Sequence, residues 1–304
     1  METGDLLRNI INLPLLSGGL AEEMLAGNFR SIFRGQGMEF DEARHYEAGD
    51  DIRSIDWNAS ARFGVPFVKM FREERELTIL LLIDISPSMC GGSIMRQKLS
   101  PYEQALIAAS LIAFSAERTG QQAGSLFFDM DIERVFPPRK GRKHIMSIVT
   151  AALQYQNNFL PRRETCGSNI AAALKGAQRL LKKRSLVVLI SDFYSVNWEQ
   201  EMGNLCGKHD CIALRICGSR ELAFNGLVTL EDPETGVRIE APAGLDSFKE
   251  SWLQWKQERS AQWETQCRRC GASFLELSTE EDAPALLLKF FGSGASRYRR
   301  RKKP

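Results

Sequence analysis

The stretch LTILLLIDISPS, residues 77–88, decides how this chain folds. Leu77 to Ile83 is an unbroken apolar run of strand length, and it includes the β-branched Thr78 and Ile79. A strand with one wet face alternates apolar and polar residues. A run that is apolar throughout suits a strand buried on both faces, as in a parallel sheet. The run ends at Asp84, where Asp84-Ile85-Ser86-Pro87-Ser88 forms a D-x-S-x-S. Carboxyl ends of parallel strands are where open α/β folds bind ligands, so one segment supplies both a fold and a candidate site.

Downstream, strands and helices alternate. Pro101 opens a helix whose Tyr102, Ala105, Leu106, Ala109, Ala113 and Ala116 recur at helical spacing until Gly120 closes it. Strands are expected over 123–128 and 132–136, and a helix over 141–155. Ile170, Leu174, Ala177 and Leu181 form the apolar stripe of another helix. Ser185–Ile190 (SLVVLI) is a second fully buried strand, ending in Ser191-Asp192. A short helix (198–205), a strand (211–216), a long helix (246–270), a strand (274–277) and a helix (284–291) complete the order. This alternation predicts an α/β fold, a mainly parallel sheet with helices on both faces. Trp252, Trp255 and Trp263 share one face of the long helix and read as a core stripe.

Two regions depart from that pattern. LVTLE and VRIEA flank DPETG near 227–241, the composition of a hairpin. Upstream, residues 1–30 read as amphipathic helices, 34–64 are rich in charge and glycine, and 65–73 read as a strand. The expected organisation is 1–75 as an N-terminal region with a small β-rich subdomain, which the 227–241 hairpin joins. Residues 76–292 form the α/β domain, and 293–304 a basic disordered tail.

Composition narrows the class. Hydrophobic residues at 43% and charged residues at 26% are ordinary for a globular protein, which leaves the motifs to decide the function. The tail residues Arg297, Arg299, Arg300, Arg301, Lys302 and Lys303 more than account for the net charge of +2, so the body is mildly acidic. No segment approaches the roughly 20 apolar residues of a membrane-spanning helix. Glu2 and Asp5 interrupt any signal-peptide pattern, and a cytoplasmic location is expected. The seven cysteines are odd in number and irregularly spaced, which reads as free thiols. Cys267-x-x-Cys270 lacks the second pair a zinc site needs. His45, His144 and His209 are scattered and fit no nucleophile–base pattern. No G-x-x-x-x-G-K-[ST] loop is present for nucleotide hydrolysis.

Asp84, Ser86 and Ser88 at one strand end, and Asp192 at another, are joined by the Cys166-Gly167-Ser168-Asn169 turn before a helix. Carboxylates and hydroxyls alone suit a hard cation, Mg²⁺ or Mn²⁺. These three loops, in this order, resemble the metal-ion-dependent adhesion site of von Willebrand A domains. The resemblance implies a von Willebrand A-like (Rossmann-type) fold and the ligand set Asp84, Ser86, Ser88, Ser168 and Asp192. Ser168 departs from the threonine usual in that family, Thr165 is the alternative hydroxyl, and Asn169 stands where related bacterial domains often carry aspartate.

A second signature precedes the domain. In GQGMEFDEARHYEAGDDIRSIDWNASARFGVPFVKMFREE, residues 35–74, the G-D-D-x-R-x-I-D-W core closely resembles domain of unknown function 58. This is a prokaryotic von Willebrand A-like family often encoded beside MoxR-type AAA+ ATPases. That resemblance implies a non-enzymatic, metal-dependent protein-binding module, an adaptor or co-chaperone whose partners are a MoxR-type AAA+ ATPase and a client protein. Asp50, Asp51, Arg53, Asp56, Trp57 and Arg62 are candidates for a partner-docking surface, or for a charge network that locks the fold. Two alternatives stand beside it: metal-dependent phosphoester hydrolysis, and nucleic-acid binding through the basic tail. Phosphatase-type folds carry a second aspartate two residues after the first, where this chain has Ser86.

Overall fold

The computed structural model describes residues 38–47, 50–51, 55–73, 77–90, 99–157, 167–218, 226–231 and 237–292. The expected helices of residues 1–30, the tail 293–304, Arg53 and Thr165 lie outside the described residues. In chain order the elements are β1 (Met38–His45), α1 (Trp57–Phe63), β2 (Phe67–Glu73), β3 (Thr78–Asp84), α2 (Pro87–Cys90) and α3 (Pro101–Arg118). There follow β4 (Gln122–Phe128), β5 (Ile132–Arg139), α4 (Arg142–Asn157), α5 (Ile170–Leu180), β6 (Leu186–Ser191) and α6 (Glu199–Cys206). The chain continues through β7 (Asp210–Cys217), β8 (Leu227–Glu231), β9 (Arg238–Pro242), α7 (Asp246–Cys270), β10 (Ser273–Ser278) and α8 (Ala283–Gly292).

Six strands form the central sheet, in the order β10-β7-β6-β3-β4-β5. All neighbours pair in parallel except β5, which returns antiparallel along β4 at one edge. The α/β class and mainly parallel sheet expected from the sequence are therefore borne out. β3 lies near the centre and is buried from Ile79 to Asp84. Removing a Leu or Ile side chain of this kind from water contributes about 1.5–3 kcal/mol, which makes β3 and β6 the main apolar anchors of the sheet. A capping box sets the start of α3. Ser100 Oγ accepts from Glu103 N at 3.1 Å, and Glu103 Oε2 accepts from Ser100 N at 2.7 Å.

Only the C-terminal half of α7 joins the core, through Trp263 and Cys267. The helix has 25 residues, about 37 Å at 1.5 Å per residue, more than a six-residue strand can cover. The tryptophan stripe therefore does not continue as core: Trp263 is 4% exposed, but Trp255 is 42% exposed.

The described residues divide into two compact units, one within 38–73 and the other within 77–292. In the smaller unit β1 and β2 pair antiparallel, giving the small N-terminal antiparallel sheet. β8 and β9 pair with each other in a separate two-stranded sheet, and they belong to the larger unit. Each satisfies its backbone groups with its own sequence neighbour. Among the described residues no helix is long and apolar enough to cross a membrane.

Candidate metal centre

β3 and β6 run side by side with Ile83 opposite Ile190, so Asp84 and Ser191 emerge together at the carboxyl edge. The carboxylate of Asp84 is fully buried. Its Oδ1 accepts from the Ser86 backbone N–H at 2.9 Å, which folds the chain back over the strand end. Its Oδ2 accepts from Ser168 Oγ at 2.7 Å and from Ser191 Oγ at 2.6 Å. Ser86 Oγ and Ser88 Oγ lie 3.1 Å apart. The short helix α2 fixes this turn, because Met89 and Cys90 N–H groups donate to Ser86 O.

Ser168 arrives from a second loop. Gly167 has φ 138°, a backbone region that only glycine enters without strain. Asn169 then caps α5, its Oδ1 accepting from Ala172 N at 3.1 Å, while its own N–H donates to Asp129 O at 2.8 Å. Asn169 is thus occupied as a helix cap. Asp192 follows β6, is buried, and its Oδ1 accepts from Tyr194 N at 3.1 Å.

The structure therefore joins Asp84, Ser86, Ser88 and Ser168 by hydrogen bonds, and Asp192 follows directly on Ser191, which bonds Asp84. Ser191 was not among the candidate ligands, yet it makes the shortest contact to Asp84 and also accepts from Phe193 N at 3.0 Å. The available signal was its position as the last residue of the second buried strand.

Burial raises the Asp84 carboxyl above its ordinary pKa, and the hydrogen bonds from Ser191, Ser86 and Ser168 oppose that rise. Among the described residues no lysine, arginine or histidine forms an ion pair with it. A buried carboxylate served by hydroxyls but by no cation is a donor set that a hard divalent ion fits. Among the described residues no three His, Cys, Asp or Glu side chains gather at one point, so serine hydroxyls would have to complete such a shell. The thiols do not offer another centre. Burial raises Cys267 and takes Cys270 up to about 11, which keeps both protonated and poor as ligands near neutral pH.

In the smaller unit the family-specific residues have local structural work. Asp50 Oδ1 accepts from Arg44 Nη2 at 2.6 Å, and this guanidinium contact lowers its pKa. Asp56 caps α1, its Oδ1 accepting from Asn58 N at 3.0 Å and Ala59 N at 3.2 Å. Asp51 and Arg62 are exposed, and Trp57, the first residue of α1, is 69% exposed.

Fold and site together define an α/β domain built on a mainly parallel six-stranded sheet, with a carboxylate–hydroxyl cluster on the carboxyl edge of that sheet. The family described as protein of unknown function DUF58 matches residues 42–262, and the chain belongs to that family. An uncharacterised protein of Mycobacterium tuberculosis is 30% identical over 305 aligned residues, covering 95% of this chain and 92% of that one. Among solved structures, the conserved hypothetical protein BatB from Bacteroides thetaiotaomicron superposes with a TM-score of 0.45 at 14% identity, over 72% of this chain and 99% of that one. An aerotolerance-related membrane protein from Bacteroides fragilis superposes with a TM-score of 0.46 at 15% identity, over 72% and 98%.

Proposed function

We propose that the chain is a non-enzymatic, metal-dependent protein-binding module of the cytoplasm, organised as 1–75, 76–292 and 293–304. Asp84, Ser86, Ser88, Ser168 and Asp192 would hold Mg²⁺ or Mn²⁺, with Ser191 orienting Asp84. When bound, the ion offers an open position that a carboxylate of a partner protein can fill. The observation that carries this reading is the buried Asp84 carboxylate, surrounded by hydroxyls and paired with no cation among the described residues. The role of adaptor or co-chaperone to a MoxR-type AAA+ ATPase rests on the family resemblance alone. The exposed Trp57, beside Asp51, Asp56 and Arg62 of the smaller unit, is the docking surface we assign to that ATPase.

The test is thermal unfolding of the full chain in Mg²⁺, in Mn²⁺ and in chelator, beside Asp84→Asn. At about 100 times its dissociation constant the ion adds about 2.7 kcal/mol, a rise of several degrees for a domain of this size. The rise should vanish in Asp84→Asn, which keeps the shape but not the charge. Equal melting of the wild type in metal and chelator would refute the metal site. For the partner, unchanged binding of a MoxR-type ATPase by Trp57→Ala and Arg62→Ala would refute the docking assignment.

A further inference from the structure

Next to the cluster at Asp84, within the same α/β unit, lies a cavity of about 460 Å³ between the loop that follows Asp192 and helix α7. That volume is within the range of small-ligand sites. Two residues of its wall carry donors that no protein acceptor serves, both enclosed by their neighbours. Arg215, 7% exposed, and Trp263, 4% exposed, both line the cavity, and neither Arg215 Nε nor Trp263 Nε1 has a hydrogen-bond partner. Buried donors are rarely left unpaired in a finished fold. Arg215 is only partly engaged elsewhere, its Nη1 reaching Glu276 at 3.5 Å. A third donor group, the Arg259 guanidinium, lies 4.0 Å from the centre of the Tyr194 ring and 5.4 Å from that of Trp255. Among the described residues it forms no ion pair. The two glutamates of the wall are already served: Glu199 accepts from Gln266 at 2.8 Å and Glu258 from Gln254 at 3.0 Å.

Strand register places Arg215 close to the sheet's carboxyl edge. Arg215 pairs with Ser191 across β6 and β7, and with Glu276 across β7 and β10. The loop wall is built on two non-glycine residues in the left-handed region, Phe193 at φ 58° and Asn197 at φ 60°. Phe193 is held there by ring contacts with Trp198 and Trp263, each at 5.3 Å. Strained backbone that is fixed by packing is a feature of binding sites.

We propose that this cavity binds a carboxylate carried on a flat apolar body. The aromatic walls take the body, and the guanidinium groups of Arg215 and Arg259 pair with the carboxylate. A free aromatic acid and the carboxyl end of a peptide present the same chemistry. The assignment does not depend on an ion at Asp84.

Three of the chain's five tryptophans line the cavity, so their emission reports occupancy. The full chain, in chelator, is titrated with benzoate, N-acetyl-phenylalanine and the peptide acetyl-Ala-Ala-Phe with a free carboxyl end. Benzamide and the two C-terminal amides serve as uncharged counterparts. The acids should give saturable changes, with the amides about tenfold weaker or more. Benzoate alone binding assigns a free acid; binding of the peptide acid assigns a chain end. Arg259→Ala should weaken the acids about tenfold while the free protein melts unchanged, and calorimetry should show the same loss as the emission titration. Asp84→Asn should bind the same probes as the wild type, which separates this site from the metal reading. Equal affinity for acids and amides, or no saturable change up to about 10 mM, would overturn the proposal.

Discussion

Replacing Ser191 by alanine removes one oxygen from the centre of the cluster and breaks two hydrogen bonds at once. Ser191 Oγ donates to the buried Asp84 Oδ2 at 2.6 Å and accepts from the Phe193 N–H at 3.0 Å. A bond to a charged group contributes about 1.5–3 kcal/mol, and a buried N–H left without an acceptor costs about 1–3 kcal/mol more. The expected loss is therefore about 2.5–6 kcal/mol in the metal-free protein, or about 5–24 °C in melting temperature at about 2–4 °C per kcal/mol for a domain of this size. Urea unfolding in chelator measures it, provided both proteins unfold with the same slope. Ser168→Ala is the internal control. It donates to the same Oδ2 at 2.7 Å but is only half-buried, so water can replace it and the loss should stay within about 1 kcal/mol. If Ser191→Ala lost less than about 1 kcal/mol, the loss would fall below even the cost of the orphaned Phe193 N–H. The reasoning from a buried charge would then fail.

Three further outcomes follow from other sites. Burial lowers the pKa of His209 below its ordinary value, so the unfolded chain takes up the proton first on acidification. Stability should be full above pH ~6.5 and fall as pH drops from there through the depressed folded value. His209→Gln should flatten that slope in denaturant titrations between pH 7 and 5, and an unchanged slope would sink the assignment. Asp56→Ala removes the cap of α1 and should cost that unit about 1 kcal/mol. Faster amide exchange at Asn58 and Ala59, with the sheet amides unaffected, would show it. In Gly124→Ala the new methyl would lie 2.6 Å from Phe136 O and 2.7 Å from Pro138 N, both backbone atoms. The β4–β5 edge must then open, lowering stability by about 1–3 kcal/mol in denaturant unfolding. A neutral substitution would contradict that packing.

The central sheet was legible because its strands and helices carry strong apolar periodicity. The run before Asp84 and the stripe Ile170, Leu174, Ala177 announce a buried strand and a helix facing it. β1 and α1 gave no such signal, since MEFDEARH and WNASARF carry only scattered apolar residues without a sustained period, and their fold is set by pairing with β2 and by the Asp56 cap. Ser191 and Arg215 stayed hidden for a different reason. Their meaning comes from register across β3, β6 and β7, and a linear pattern does not contain register. Trp255 was misread because helical spacing fixes a face but not how far along the helix the protein body extends.

The contact between Asp84 and Ser191 joins residues 107 positions apart. β3 can pair with β4 soon after both are made, but β6 docks only once some hundred residues of intervening chain have been ordered. Closing so long a loop is slow compared with local pairing. Until then Asp84 remains in water as an ordinary surface acid, and the Ser168 loop has no wall to lean on. The cluster therefore comes into being late in folding. A chain emerging from the ribosome, or one cut short before β6, carries the D-x-S-x-S in its sequence but not the cluster.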